Sequence, residues 1–325
     1  MNHHVLLRPD ELSAASESTA TESVKVSVII PTKNRPRDLE KTISSIARQS
    51  QLPYEIVIID QSSTTSFTKA AALHIVHIHS PQISGAAAAR NLGMETATGN
   101  IWLFLDDDVE LEHGFIEELV KAYLPNVTGV SGIITNYTKP SWPTRVWEAT
   151  FIRGIFADKR QKIYWNADKL KEMAPIEVDR FTGALMSFRA SALEHVRWNT
   201  RLTGGSFHPQ DDLDFCWSLA PDRLLVINPK ARLVHHRTPT ARNAAHWISI
   251  HANVNFYMWM KHWRLTLLNN CCFAWLNLGY AVAATLSSIR TMTLDPWRAL
   301  HTGAQRGIRL ARATDETSAV KGCAP

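Results

Sequence analysis

Asp106, Asp107 and Asp108 stand in a row directly after the apolar run Ile101-Trp102-Leu103-Phe104-Leu105. That run reads as a strand buried on both faces, which puts the three carboxylates at its C-terminal mouth, where open α/β sheets hold their ligands. Adjacent carboxylates repel one another unless a cation lies between them, and hard oxygen donors at this spacing suit Mg or Mn. The chemistry predicted is a divalent metal site. The competing reading is an Asp-rich turn capping a helix that starts near Glu112, and the triplet alone leaves both open.

The elements that must position the triplet are legible around it. Val24 to Ile30 alternates and then runs apolar, as a strand does, and Pro31 to Pro36 breaks it. Leu39, Ile43, Ile46 and Ala47 then recur at helical spacing, with Pro36 placed to open the helix. Ile56 to Ile59 predicts a second buried strand ending on Asp60, Leu73 to Ile78 a third, and Ser84 to Ala97 an Ala-rich helix before the fourth strand. Strands alternating with helices imply a mostly parallel sheet with right-handed crossovers. Asp60 and the triplet then lie at the same sheet edge.

Later segments are less regular. Asn136 to Asp179 predicts an irregular stretch carrying Trp142, Trp147 and Trp165, either a stacking platform for sugar rings or ordinary packing. Val178 to Phe188 reads as a strand, Asp211 to Ala220 as a helix, and Arg223 to Ile227 and Arg232 to His235 as two short strands. Ala244 to Trp263 is an aromatic helix, and Leu265 to Ile289 contains no charged residue between Arg264 and Arg290. That length is compatible with lying in a membrane interface, with crossing a bilayer, or with burial in the protein.

The chain has 325 residues, enough for one large α/β domain plus an appendage. Residues 1–23 show neither periodicity nor a secretory h-region and are expected to be a tail. Cys216, Cys271, Cys272 and Cys323 show no ligand or disulfide spacing, which points to a reducing, cytoplasmic setting. From Lys261 onward there are eight Lys or Arg against three acidic residues, which accounts for the whole net charge of +5. The rest is balanced, so nucleic acid is not an expected partner, whereas Arg298, Arg306, Arg309 and Arg312 suit anionic lipid head groups.

Taken in order, the motifs form a recognisable set. They are Val28-Ile29-Ile30-Pro31-Thr32-Lys33-Asn34, Ile58-Ile59-Asp60-Gln61-Ser62-Ser63, Gly85 through Ala89-Arg90-Asn91-Leu92-Gly93, and Phe104-Leu105-Asp106-Asp107-Asp108. Phe181-Thr182-Gly183-Ala184, Asp211-Asp212-Leu213-Asp214-Phe215 and Val234-His235-His236 follow. This set resembles the family 2 glycosyltransferases of the GT-A fold over roughly residues 24 to 260. The resemblance implies a GT-A domain over 24–240, with a mostly parallel central sheet flanked by helices. A C-terminal helical hydrophobic extension, 241–325, would follow it and touch a membrane peripherally through 265–289.

The resemblance also implies roles. Asp106 and Asp107 fall on the donor side, and Asp108, with Asp106 and the late histidine His235, on the metal, Mn or Mg. Asp60 would bond the base or ribose, Arg90 would contribute to the nucleotide pocket, and Pro31, Thr32 and Asn34 would line it through their backbone. The base that takes the acceptor proton falls on Asp212, with Asp211 where the family has Glu; that shorter side chain leaves open which carboxylate faces the acceptor. No nucleophilic side chain is called for, so the implied reaction is a single inverting displacement. The donor would be a UDP-, dTDP- or GDP-sugar and the acceptor a glycan or lipid-linked hydroxyl, in cell-envelope polysaccharide or glycolipid synthesis. Two other classes share some of these features. A metal-dependent nucleotidyl or phosphoryl transferase also clusters carboxylates on an α/β sheet, but no G-x-x-x-x-G-K-[ST] loop is present. A catalytically silent sugar-binding protein at a membrane would be expected to have lost the triplet or Asp212, and both are intact.

Overall fold

The apolar runs before Thr32, Asp60 and Asp106 form strands that end on the site residue or directly before it. The computed structural model describes residues 23–65, 73–158, 160–203, 211–237, 244–263 and 266–321; the expected tail, apart from Ser23, lies outside them. In chain order the first elements are β1 (Val26–Thr32), α1 (Pro36–Ala47), β2 (Glu55–Asp60), β3 (Ile75–His79), α2 (Ala86–Thr96) and β4 (Ile101–Leu105). They are followed by β5 (Val109–Leu111), α3 (Phe115–Lys121), β6 (Gly129–Ile134), α4 (Trp142–Phe151) and α5 (Arg160–Trp165). Next come β7 (Ile176–Val178), β8 (Leu185–Arg189), α6 (Thr200–Thr203), α7 (Asp211–Trp217) and β9 (Leu225–His235).

These strands form one mixed sheet in the order β3-β2-β1-β4-β8-β6-β9-β5, with β7 also paired to β9. β1, β2, β3, β4, β6 and β9 run in one direction, while β5, β7 and β8 oppose them. The mostly parallel sheet therefore stands as expected, and its parallel edges carry the strand ends that bear Thr32, Asp60 and the triplet.

Strand alternation builds the two hydrophobic layers. Val28 and Ile30 pack on one face with Leu39, Ile43 and Ile46 of α1, and Ile29 packs on the other with Ala87, Ala89 and Met94 of α2. Full burial of each aliphatic side chain stabilises the fold by about 1.5–3 kcal/mol. Helix α1 opens with Pro at its first turn, as its fixed φ allows. Helix α2 lies hard against β1: a Cβ at Gly93 would stand 2.3 Å from Ile29 Cγ2, and one turn earlier the same helix carries Arg90.

The structure departs from the sequence expectations in four places. Arg223–Ile227 and Arg232–His235 belong to the single strand β9, whose register on β6 shifts between Ser131 and Ile133, opposite the segment that contains Pro229. The expected strand Val178–Phe188 is β7 and β8, separated by a turn through Gly183. The middle stretch is partly helical, in α4 and α5. Strands β5 and β6 form where the sequence pattern marks no strand.

The described residues fall into two compact units: the sheet with α1–α3 and α5–α7, and a helical unit holding α4 and the residues from 244 onward. In the second, α8 (Ala244–Met258) gives way to a π-helical turn at Trp259–Trp263, followed by α9 (Leu267–Thr291) and α10 (Asp295–Lys321). Gly303 and Gly307 let α10 press on α8, where a Cβ would meet Ser249 O at 2.3 Å and Asn253 O at 2.2 Å. Helix α9 buries Phe273, Leu276, Tyr280 and Ala284 on one side, and Phe273 stacks on Trp259 with ring centroids 4.6 Å apart. By length and composition α9 is able to cross a membrane, and 28% of its apolar stretch is buried.

Candidate active site

β-Pairing assembles the acidic centre. The antiparallel register of β5 on β9 sets Val109 opposite His235, and His236 N–H donates to Asp108 O at 2.8 Å. The turn 106–108 is thereby held against the end of β9. His235 Nε2 lies 3.0 Å from Asp108 Oδ1 and 3.8 Å from Asp106 Oδ2. One donor atom each from Asp106, Asp108 and His235 fall within 4.8 Å of one another. Two carboxylate oxygens and one imidazole nitrogen converging on one point suit a divalent cation, and the imidazole favours Mn over Mg.

Asp107 is turned the other way. Its Oδ2 accepts from Thr32 Oγ1 at 2.7 Å and its Oδ1 from Arg35 Nη1 at 2.8 Å, while Arg35 Nη2 donates to Asp108 Oδ2 at 2.8 Å. Thr32 thus engages the triplet through its hydroxyl, where the sequence suggested a backbone role. Arg35, which the sequence reading did not single out, bridges the second and third carboxylates. The signal was present: a cation one residue before Pro36, in the loop that leaves β1 next to β4.

Burial divides the three carboxyls electrostatically. It pushes Asp107 up to about 7 against the hydrogen bond from Thr32 and the charge of Arg35. Asp106 is likewise raised by burial, opposed by Arg90 and His235. Burial also works on Asp108, but hydrogen bonds and charge from His235 and Arg35 outweigh it and hold that group below the ordinary carboxylate range. Asp108 is therefore ionised at neutral pH and available to a cation. Arg35→Ala would leave Asp107 and Asp108 buried without this donor. We expect a loss of about 1–3 kcal/mol in metal-free urea denaturation; an unchanged midpoint would show that Arg35 does not support the triplet.

Arg90 forms the second half of the site. Buried on α2, its Nη2 donates to Asp106 Oδ1 and to Gly183 O, both at 3.0 Å, and its Nη1 lies 3.5 Å from Asp211 Oδ2. Its guanidinium rests over the Trp198 ring at 4.5 Å, and Trp198 stacks on Phe215 of α7. Arg90 therefore ties Asp106 to the first turn of α7. The turn between β7 and β8 closes the arrangement, because Gly183 N–H donates to Asp212 Oδ2 at 2.9 Å and Arg160 Nη1 lies 4.0 Å from the same oxygen.

Asp211 titrates unusually. Burial, with the charge of Asp212 adding and that of Arg90 opposing, pushes it up to about 7. Its stability contribution is full below the ordinary value of 3.8 and is lost as pH rises through about 7. Asp211→Asn is neutral throughout and is expected to flatten this part of the metal-free pH–stability profile in urea melts. Asp107 titrates over the same range, so a residual slope should survive. A variant profile parallel to wild type would contradict the assignment.

Asp60 sits at the end of β2, one strand over from β1. Its Oδ1 accepts from Ser62 N–H at 2.9 Å, and His77 Nε2 approaches Oδ2 at 3.3 Å. Burial acts to raise it, but the hydrogen bonds from Ser62 prevail and hold it low. Asn34, in the left-handed region at φ 55°, donates its N–H to Ser62 Oγ at 2.7 Å. A cleft of about 160 Å³ is lined by Thr32, Asn34, Pro36, Leu39, Asp60, Ser62 and Thr64. Thr32 lines this cleft and is bonded to Asp107, so Asp60, the three aspartates, Arg90, Asp211, Asp212 and His235 form one continuous polar edge. Pro31 lies within β1, paired with Ile59.

A family model described as glycosyl transferase family 2 matches residues 27–196. An uncharacterised glycosyltransferase, YwdF of Bacillus subtilis, is 36% identical over 101 residues, 30% of this chain and 38% of that protein. The pre-mycofactocin glycosyltransferase of Mycobacterium tuberculosis is 26% identical over 227 residues, 66% of this chain and 43% of that protein. The matches thus span less than half the length of these relatives. Among solved structures, the mannosyltransferase PcManGT of Pyrobaculum calidifontis, in complex with GDP-Man and Mn2+, superposes with a TM-score of 0.52 at 19% identity, covering 87% of each chain. That likeness establishes the fold.

Proposed function

This chain belongs to glycosyl transferase family 2, and we propose that it is an inverting, metal-dependent glycosyltransferase. It moves a sugar from a nucleotide-sugar donor to a hydroxyl acceptor, a glycan or lipid-linked glycan of cell-envelope polysaccharide or glycolipid synthesis. It works at the cytoplasmic face of a membrane that it contacts through 265–289. The observation that carries this reading is the junction at Arg90, which joins the Asp106–Asp108–His235 centre to Asp211 on α7 directly and to Asp212 through Gly183.

Asp106, Asp108 and His235 would hold Mn or Mg, which when bound would neutralise charge on the departing diphosphate. The cleft beside Asp60 takes the nucleoside, with Asp60 accepting from the base or ribose and the loop at Asn34 closing over it. Asp212 takes the acceptor hydroxyl's proton as that oxygen attacks the anomeric carbon. The bond from that carbon to the diphosphate breaks on the opposite face, the nucleoside diphosphate leaves with the electron pair, and the configuration inverts. Arg90 and the Gly183 turn fix α7 relative to Asp106, so acceptor and donor meet in one geometry.

The fold neighbour's GDP-Man and Mn2+ support starting with that pair. The test is a panel of UDP-, GDP- and dTDP-sugars with and without Mn, read by thermal stabilisation and slow donor hydrolysis. One donor class should raise the melting temperature more with Mn than without it. No response to any sugar nucleotide would defeat the reading.

A further inference from the structure

Helix α9 has two apolar faces, and among the described residues only one of them is packed against. Opposite its buried side, Leu268, Trp275, Leu278, Val282, Leu286 and Ile289 recur at spacings of three, four and seven residues and are all exposed, Leu286 at 63% and Ile289 at 65%. At about 1.5 Å per residue this outward stripe runs for roughly 32 Å. It continues beyond the helix in Met292, 88% exposed, Leu294 and Trp297. A contiguous apolar strip of this length on a soluble surface marks an interaction site.

Its surroundings identify the occupant. The stripe contains no charge, Arg290 and Arg298 stand at its end, and Arg306, Arg309 and Arg312 follow on the exposed side of α10. From Lys261 to Ala313 the sequence holds a single acidic residue, Asp295, which lies 3.4 Å from Arg298. An apolar face with arginines at its end, and with tryptophans that are partly exposed, is complementary to the interfacial layer of an anionic bilayer. A second copy of the chain is a poorer occupant, because a self-paired helix seam takes its register from oppositely charged flanks and these flanks are cationic.

The other side of the helix excludes a spanning arrangement. Trp147 Nε1 donates to Gly279 O at 3.1 Å and a Cβ at Gly279 would meet Phe151 at 2.5 Å, while Trp275, at the margin of the outward stripe, donates its Nε1 to Thr150 O at 2.8 Å. Helix α4 is thus seated directly on α9. Crossing the bilayer would carry α4, with Arg145 and Glu148, into hydrocarbon.

We propose that the outward stripe of α9 lies flat in the head-group and upper acyl region of an anionic membrane, held there by its apolar side chains and by the arginines at its end. This deepens the membrane contact of the proposed function and rests on it, but it is independent of the donor chemistry.

The test uses the purified full-length chain in co-sedimentation with phosphatidylcholine vesicles with and without phosphatidylglycerol. Wild type should bind the anionic vesicles, lose most of that binding in high salt, and leave the membrane on alkaline carbonate washing. The exposed-face variant Leu278→Glu/Val282→Glu/Leu286→Glu should bind roughly tenfold or more weakly, with an unchanged melting temperature and an unchanged response to sugar nucleotides. Equal binding by the variant, or a wild type that stays in the supernatant, would overturn the proposal. So would resistance to carbonate, which marks a spanning helix. A wild-type dimer in light scattering that the triple variant abolishes, without vesicle binding, would assign the stripe to a second copy instead. Donor response is measured separately, so loss of vesicle binding and loss of nucleotide-sugar chemistry are told apart.

Discussion

Asp108→Asn is expected to lower sugar transfer by about a thousandfold or more, the scale of several kcal/mol of lost charge stabilisation in the transition state. Asn keeps the size of the side chain and leaves the backbone hydrogen bond from His236 to residue 108 in place, so the fold should survive. What disappears is the one carboxylate of the triplet that its surroundings hold ionised. Arg35 and His235 would then face a neutral amide, and the remaining donors, Asp106 and His235, would make a poor cation site. The measurement is turnover across a Mn titration with a melting curve alongside. A variant that folds and keeps the wild-type Mn dependence would remove Asp108 from the metal site.

Asp212→Asn is expected to separate binding from chemistry. General-base removal typically costs about 10²–10⁴ in rate, whereas the cleft proposed for the nucleoside, at Thr32, Asn34 and Asp60, does not include Asp212. The amide oxygen of Asn still accepts from Gly183 N–H, so the turn before β8 should stay closed. Transfer should therefore collapse while nucleotide affinity, measured by calorimetry, changes by less than about twofold, well under 1 kcal/mol. Affinity falling in step with activity would instead make Asp212 a structural brace. A deeper loss in Asp211→Asn than in Asp212→Asn would place the base on the neighbour whose pKa is pushed to about 7.

How much of this was visible in the sequence depended on the range of the interactions involved. Strands β1, β2 and β4 are buried on both faces and so read as unbroken apolar runs, and the residues that follow them, Asp60 and Asp106–Asp108, were placed correctly at one sheet edge. Strand β5 is three residues long and gives no period to read. Strand β6 contains Gly129 and Gly132, which as letters suggest a turn. In the fold they are needed because a Cβ would lie 2.7 Å from Phe188 at the first and 2.2 Å from Ala231 O at the second. Pro229 made β9 look like two strands, since nothing local reveals that a register shift absorbs it.

The same division holds within the site. Carboxylates and His235 stood out by residue type, but the bonds that orient them did not. Arg35 reaches Asp107 and Asp108 across more than seventy positions, and Arg90 reaches Gly183 across more than ninety. Such pairs come from sheet topology, which composition and spacing do not encode locally. The apolar stripe on α9 shows the converse: its hydrophobicity was plain in sequence, while which half of it the protein keeps for itself emerged only from packing.

The placement of β9 orders the events of synthesis. This one strand pairs with β5, β6 and β7 and also delivers His235 to the acidic turn. A polypeptide still leaving the ribosome therefore exposes its aspartate row long before the stretch that completes the sheet exists. The sheet and the grouping of Asp106, Asp108 with His235 are thus completed together, by the last strand in the chain order of the sheet.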